Sequence, residues 1–281
     1  MQKLGKCSLA AAGLTVLASC QQQAPEQPTV NQPAVEAPAS RLPKIEPPVD
    51  RAGLLQAVRA AASAAALGRD DAEVQRKLDG KAFEVRIRFG CAPAGPAEEA
   101  AAKGPFNVRF EPDERTLRVR AAPDLTLDDP QVAQIAGEGI EAVEGFWMRR
   151  PWLLADGCPV APVQAQAPGA GEPAAPEAAA APPAGQRVGI AQFFSATDSR
   201  VGRRNQRAYE ATSTLGAAEQ PSPKGYNLVL SGRLRKLPSG PVISCRVGNR
   251  ESPPDCIVSA EFDRAWIENP GTRAIIAEWS S

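Results

Sequence analysis

The reactive side chains of this sequence are cysteines, arginines and carboxylates, because histidine does not occur among its 281 residues. That absence removes the commonest general base, the commonest metal ligand and the usual pH switch together. A Ser-His-Asp triad is excluded outright, and no Ser-x-x-Lys, Gly-x-Ser-x-Gly, His-Glu-x-x-His, phosphate loop or Gly-x-Gly-x-x-Gly motif is present. No catalytic residue, metal ligand or cofactor is assigned. Glycoside hydrolysis needs only two carboxylates and so survives on residue types alone. However, acids such as Asp113, Glu114, Asp128 and Asp129 sit in sequence contexts typical of turns and helix caps.

The six cysteines are Cys7, Cys20, Cys91, Cys158, Cys245 and Cys256, with no Cys-x-x-Cys spacing among them. Cys20 has the most specific surroundings. Lys3 and Lys6 form a basic start, Cys7 to Ala18 form an uncharged apolar run of twelve residues, and Leu17-Ala18-Ser19-Cys20 follows. A run of that length is too short to span a bilayer core of about 30 Å and reads as a signal-peptide core. Leu17-Ala18-Ser19-Cys20 resembles the lipobox of bacterial lipoprotein precursors. The resemblance covers residues 1–20 and implies cleavage before Cys20 and lipidation of its sulfur with acyl chains such as palmitate. It also implies a membrane anchor on the periplasmic side. Gln21 stands where an inner-membrane lipoprotein would carry aspartate, so the same resemblance implies the outer membrane. At about 0.8 kcal/mol per buried CH₂, several chains on one cysteine anchor firmly.

With Cys7 removed and Cys20 lipidated, an even number of cysteines remains in an exported chain, which points to disulfides. Four cysteines allow three connectivities. The expected pairs are Cys91 with Cys158 and Cys245 with Cys256, one within each folded region. The second pair flanks a turn at Arg250-Glu251, as across a hairpin.

Arginine supplies the candidate binding chemistry. Phe83, Val85, Ile87 and Phe89 alternate with Glu84, Arg86 and Arg88, and Phe106, Val108 and Phe110 repeat the period of two before Leu117, Val119 and Ala121. On one expected sheet the outward face would carry Arg86, Arg88, Arg109, Arg118 and Arg120 against Glu84 and Glu111. Like charges facing across strands repel, so such a face invites an anionic partner such as lipopolysaccharide phosphate, an acidic glycan or an envelope protein. The competing reading is a solvated face whose arginines pair with nearby carboxylates. Arg200, Arg203, Arg204 and Arg207 form a second basic cluster. Phe146, Trp147, Met148, Pro151 and Trp152 are either an aromatic platform or core. Lys plus Arg and Asp plus Glu both total 32, so nothing in the bulk charge favours nucleic acid, and none is expected as a partner.

The elements that would position these residues fall between two biased stretches. Residues 1–19 read as signal peptide and 20–48 as a lipidated tether with seven prolines and five glutamines after Cys20. Residues 161–185 hold eleven alanines and six prolines, which interrupt any helix, and read as a linker. Residues 49–160 are expected to form an α+β domain, a small antiparallel sheet with covering helices. Its helices would be capped by Asp50 with a stripe of Leu54, Val58, Ala61 and Ala65, by Asp70, and by Asp129-Pro130 ahead of Val132, Ile135, Ala136, Ile140 and Val143. Residues 186–281 are expected to form a mostly-β meander, a small barrel or sandwich, with strands near 188–194, 208–215, 226–237, 242–247, 256–262, 265–268 and 274–279. The resulting expectation is a membrane-anchored periplasmic lipoprotein that binds or scaffolds an envelope component. The alternative is a carboxylate-dependent envelope glycan hydrolase.

Overall fold

The computed structural model describes residues 46–69, 71–91, 104–158, 185–198, 203–237, 239–248 and 252–280. Cys20 and its lipobox, the tether up to residue 45 and residues 161–184 of the linker lie outside the described residues.

Helix α1 (Arg51–Ala66) begins because the Asp50 carboxylate accepts the Gly53 amide at 2.8 Å, which satisfies one orphan N–H of the first turn. Leu54, Leu55, Val58, Ala61 and Ala62 form its buried stripe. Asp71 caps α2 (Ala72–Leu78), through the Val74 amide, and Asp70, the expected cap, lies outside the described residues. The acid adjacent to the helix start holds the cap geometry, one residue later than the sequence spacing suggested. Helix α3 (Pro130–Ala136) is capped by Asp129 but stops at Gly137. Gly137 and Gly139 adopt φ of 76° and 82°, which a right-handed helix cannot continue through. Ile140 and Val143, expected on that helix, therefore belong to the following strand.

The strands are β1 (Ala82–Phe89), β2 (Phe106–Glu111), β3 (Thr116–Ala121), β4 (Ile140–Trp147), β5 (Val188–Ser195), β6 (Tyr209–Thr214), β7 (Tyr226–Leu234), β8 (Ile243–Arg246), β9 (Asp255–Glu268) and β10 (Ile275–Ser280). The fold is α+β and mostly β. It comprises a mixed sheet of seven strands and an antiparallel sheet of three, ordered β2-β3-β6. In the larger sheet the path runs β1-β7-β9-β5-β4, and β8 and β10 also pair with β9. Neither sheet closes into a barrel.

Strand β9 is the spine. The expected break near 263 is a bulge: Gly232 of β7 faces Phe262 while Ser231 faces Arg264, leaving Asp263 as the extra residue. Gly232 is required there, since a Cβ would lie 1.9 Å from the Glu261 carbonyl oxygen. Strand β5 pairs with β9 in parallel, so this half is not a simple meander.

The division into domains at 49–160 and 186–281 is corrected by three pairings across it: β1 with β7, β3 with β6 and β4 with β5. Residues from Glu46 onward form one compact unit. The physical reason is that each half alone presents strands with an unpaired edge and an incomplete core, and the other half completes both. One core cluster joins Leu54 and Val58 of α1 to Val85 and Ile87 of β1, Leu117 and Val119 of β3, and Val258 and Ile267 of β9. A second, around Val132, Ile135, Val143, Ala191 and Ile257, buries α3. Ile257 alternates with Val258 along β9, so the two clusters occupy opposite faces of that strand. The smaller sheet meets the larger along an aromatic row. Phe89 lies 5.4 Å from Phe106, Phe106 5.8 Å from Phe146, Phe146 6.0 Å from Tyr209, and Tyr209 5.1 Å from Trp279. Each fully buried aromatic contributes on the order of 2–3 kcal/mol through area removed from water.

Candidate functional site

Strand β1 lies at the end of the larger sheet, with β7 on one side only. An edge strand leaves a row of backbone groups without strand partners. Here side chains and a short bridge take that place. Val49 donates to the Ala82 carbonyl and accepts from the Glu84 amide. Further along, Arg51 Nη1 donates to the Arg86 carbonyl at 3.2 Å, and the Asp156 carboxylate accepts the Arg88 amide. Arg51 Nη1 and Asp156 Oδ2 stand 3.7 Å apart, with side chains 7% and 5% exposed.

Arg51 also shapes the segment that follows β4. Its Nε donates to the Leu153 carbonyl at 3.0 Å, and its Nη2 to the Arg149 and Arg150 carbonyls at 2.8 and 3.0 Å. Arg150 adopts φ of 50°, so the chain turns sharply there. Arg59, about two helical turns further along α1, donates to the Trp152 carbonyl at 3.1 Å. At its far end the segment is closed by the Cys91–Cys158 disulfide, Cα to Cα 5.5 Å. Arg150 lies 3.7 Å from Asp156 Oδ1, which has no hydrogen-bond partner among the described residues. Burial pulls the Arg51 guanidinium below its usual range and the Asp156 charge opposes that pull.

Between this segment and β1 is a cleft of about 350 Å³. Arg86, Arg88 and Asn227 line it together with Asp50 and Glu84, and Leu154 and Ala155 form its apolar lip. Arg88 donates to Asn227 Oδ1 at 2.7 Å and to the Lys224 carbonyl at 2.8 Å. Arg86 is shared between Glu84 at 2.6 Å and Glu268 at 3.0 Å. Glu268 is buried and accepts also from Asn227 Nδ2 at 2.9 Å, Arg273 Nη1 at 2.8 Å and Trp266 Nε1 at 3.1 Å. Burial alone would raise its pKa, but the hydrogen bonds from Asn227, Trp266 and Arg86 outweigh this and hold it below the ordinary glutamate value.

The five arginines expected on one face are divided between the two sheets. Arg86 and Arg88 reach the cleft. Arg109, Arg118 and Arg120 lie on the smaller sheet, because β2 and β3 pair with β6 instead of β1. Arg109 and Arg118 face each other across the strands, with Glu111 placed 3.5 and 3.7 Å from them. Arg120 pairs with Glu210 at 2.6 Å. Of the second basic cluster, Arg204 stacks over Tyr209 at 4.2 Å and Arg203 over Phe194 at 4.8 Å. The aromatic segment is split as well. Phe146 and Met148 are core, Trp147 lies under Arg187, and Trp152 is 62% exposed.

The Cys245–Cys256 disulfide joins residues directly opposite on β8 and β9. Both cysteine pairs match the pairing read from the sequence. Arg51, Asp156 and Glu268, which organise the cleft, were not singled out from the sequence. Arg51 and Arg59 are the charged residues of an otherwise uncharged helix, which was the available signal.

Among the described residues no helix is long and apolar enough to cross a membrane, and no group of three or more His, Cys, Asp or Glu could hold a metal ion. Neither protein-family models, nor curated proteins, nor solved structures give a significant match to this chain.

Proposed function

We propose that the chain is an exported lipoprotein, cut before Cys20 and anchored through it to the periplasmic face of the outer membrane. Its folded part binds or scaffolds another envelope component. The observation that carries this reading is the placement of the two disulfides. Both close structural joints, one across a β-hairpin and one at the end of the cleft segment, as expected of a protein that matures where thiols are oxidised.

The cleft beside β1 is the binding region, with Arg86 and Arg88 offering donors to an anionic group of the partner and Ala155 offering apolar contact. The commitment of its acids favours binding over glycan hydrolysis. Asp50 caps α1, Glu84 pairs with Arg86, and Asp156 takes the Arg88 amide. A hydrolase would need one carboxyl group held protonated opposite a second, free carboxylate.

Cross-linking of the tethered protein in its native envelope, with recovery of the adduct, tests this reading. The expected result is one reproducible adduct that Arg88→Ala diminishes. Recovery of the uncross-linked chain alone, whatever the variant, would refute it.

A further inference from the structure

The segment Pro151–Ala155 presents Trp152, Leu153 and Leu154 to solvent in succession, with Trp152 62% exposed. Exposed apolar side chains occurring singly are ordinary; three in succession at the tip of one loop are not. The backbone behind them is held fast. Arg51 binds the carbonyls of Arg149, Arg150 and Leu153, Arg59 binds that of Trp152, and the Cys91–Cys158 disulfide closes the end. The tip is thus a preorganised apolar finger.

Its surroundings indicate what it meets. Arg59 is exposed and bonded to the finger, and Arg149 at its base is exposed in part, its guanidinium over the Phe106 ring at 5.0 Å and acting on Asp124. Helix α1, which carries Arg59, contains no acidic residue. The acids beside the finger are engaged: Asp156 is buried against Arg51 and Arg150, and of Asp50 and Glu84, which line the cleft with Leu154, the first accepts the Gly53 amide and the second pairs with Arg86. An aromatic and two leucines flanked by arginines match the interface of an anionic bilayer, where tryptophan sits at headgroup depth and arginines meet phosphates. The chain also enters the fold at this place: Asp50, Arg51 and Ala52 line the same cleft as Leu154 and Ala155. Cys20 stands 26 residues before Glu46, the first described residue.

We infer that Trp152, Leu153 and Leu154 form a second membrane contact, inserting into the anionic leaflet that holds the Cys20 lipid. This rests on the lipid-anchor reading above. Two attachment points would fix the orientation of the fold on the membrane, since a lipid on a tether leaves it free to turn.

The lipidated chain, purified whole and reconstituted in vesicles with brominated acyl chains, tests this through tryptophan fluorescence. In vesicles containing phosphatidylglycerol, bromine quenches an emission component that Trp152→Phe lacks and that Leu153→Glu with Leu154→Glu abolishes. In pure phosphatidylcholine that component is weaker. A chain that floats with the vesicles while Trp152 stays unquenched overturns the membrane contact and leaves the anchor standing. A chain that does not float overturns both. Shielding of Trp152 in native envelopes, but not in protein-free vesicles, assigns the finger to a protein partner and also overturns the inference.

Discussion

Arg51 and Asp156, 102 and 35 residues distant from the backbone groups they hold at Leu153 and Arg86 in the case of Arg51, meet as a buried ion pair that takes the place of a neighbouring strand along β1. One donates to the Arg86 carbonyl and the other accepts the Arg88 amide. The sheet edge is thereby closed by charge, while the same Arg51 positions the finger at 151–155. Removing Asp156 leaves the Arg51 charge buried without its counter-charge, and removing Arg51 takes the donor from four carbonyls and leaves Asp156 with Arg150 alone; losses of this kind typically reach about 3–5 kcal/mol. Arg51→Ala and Asp156→Ala are both expected to lower stability in denaturant unfolding by amounts of that order. The double variant should cost less than their sum, because the two share one interaction. Additive losses would mean that the pair is not coupled.

Cys91→Ala with Cys158→Ala releases the far end of the same segment. The bond closes a separation of 67 residues against 11 for Cys245–Cys256, and chain entropy alone assigns about 4 and about 3 kcal/mol to them. Thermal unfolding should therefore fall further for the first pair than for the second. The first double variant should also become cleavable by trypsin after Arg149 under native conditions, and the second should not; the bond after Arg150 precedes Pro151 and resists trypsin in either case.

Asp124 gives the fold a pH dependence. Burial pushes its carboxyl up to about 6, against hydrogen bonding from the Trp147 amide at 2.8 Å and the charge of Arg149. The folded state binds this proton more tightly than the unfolded state. Its contribution is therefore fully present below the unfolded value near 3.8 and is lost as pH rises through about 6. Asp124→Asn keeps an acceptor for Trp147 without the charge. It is expected to stabilise the protein at pH 7.5 by about 1 kcal/mol, after allowance for partial solvent screening, and to flatten the stability profile between pH 4 and 6. Glu268 acts oppositely, since its depressed pKa gives stability at neutral pH that disappears on acidification.

Gly232→Ala tests the bulge in β9. The added methyl would meet the Glu261 carbonyl oxygen at 1.9 Å, and backbone cannot yield as a flexible side chain would. A loss of more than about 2 kcal/mol is expected, or failure to fold, whereas Gly157→Ala, with open space around its Cβ and no left-handed backbone, should cost far less.

Much of the fold could be read locally, and the errors came where the answer is non-local. Alternation placed β1, β2 and β3, and the Asp50 cap placed α1, because each signal is complete within one segment. The helix expected to run to Val143 failed locally, since Gly137 and Gly139, both with positive φ, outweighed a pattern of apolar spacing. Strand partnership was another matter. Nothing in Arg86 or Arg109 says which sheet receives it, and a proline- and alanine-rich stretch between two regions looks the same whether it links domains or loops out of one. Only the completion of the core by Phe106, Phe146 and Tyr209 together decides it. The cysteine pairing was legible because turn symmetry and an even count constrain it. The edge-closing role of Arg51 was not, because its partners lie up to 102 residues away.

Everything proposed for the location and task of this protein depends on the sulfur of Cys20. Intact-mass measurement of the protein isolated from its native cells is the most direct test. A chain beginning at Cys20 is expected, heavier than its amino-acid sequence by the mass of the acyl modification and lighter by two hydrogens for each of two disulfides. A chain still beginning at Met1, with an unmodified thiol at Cys20, would contradict it.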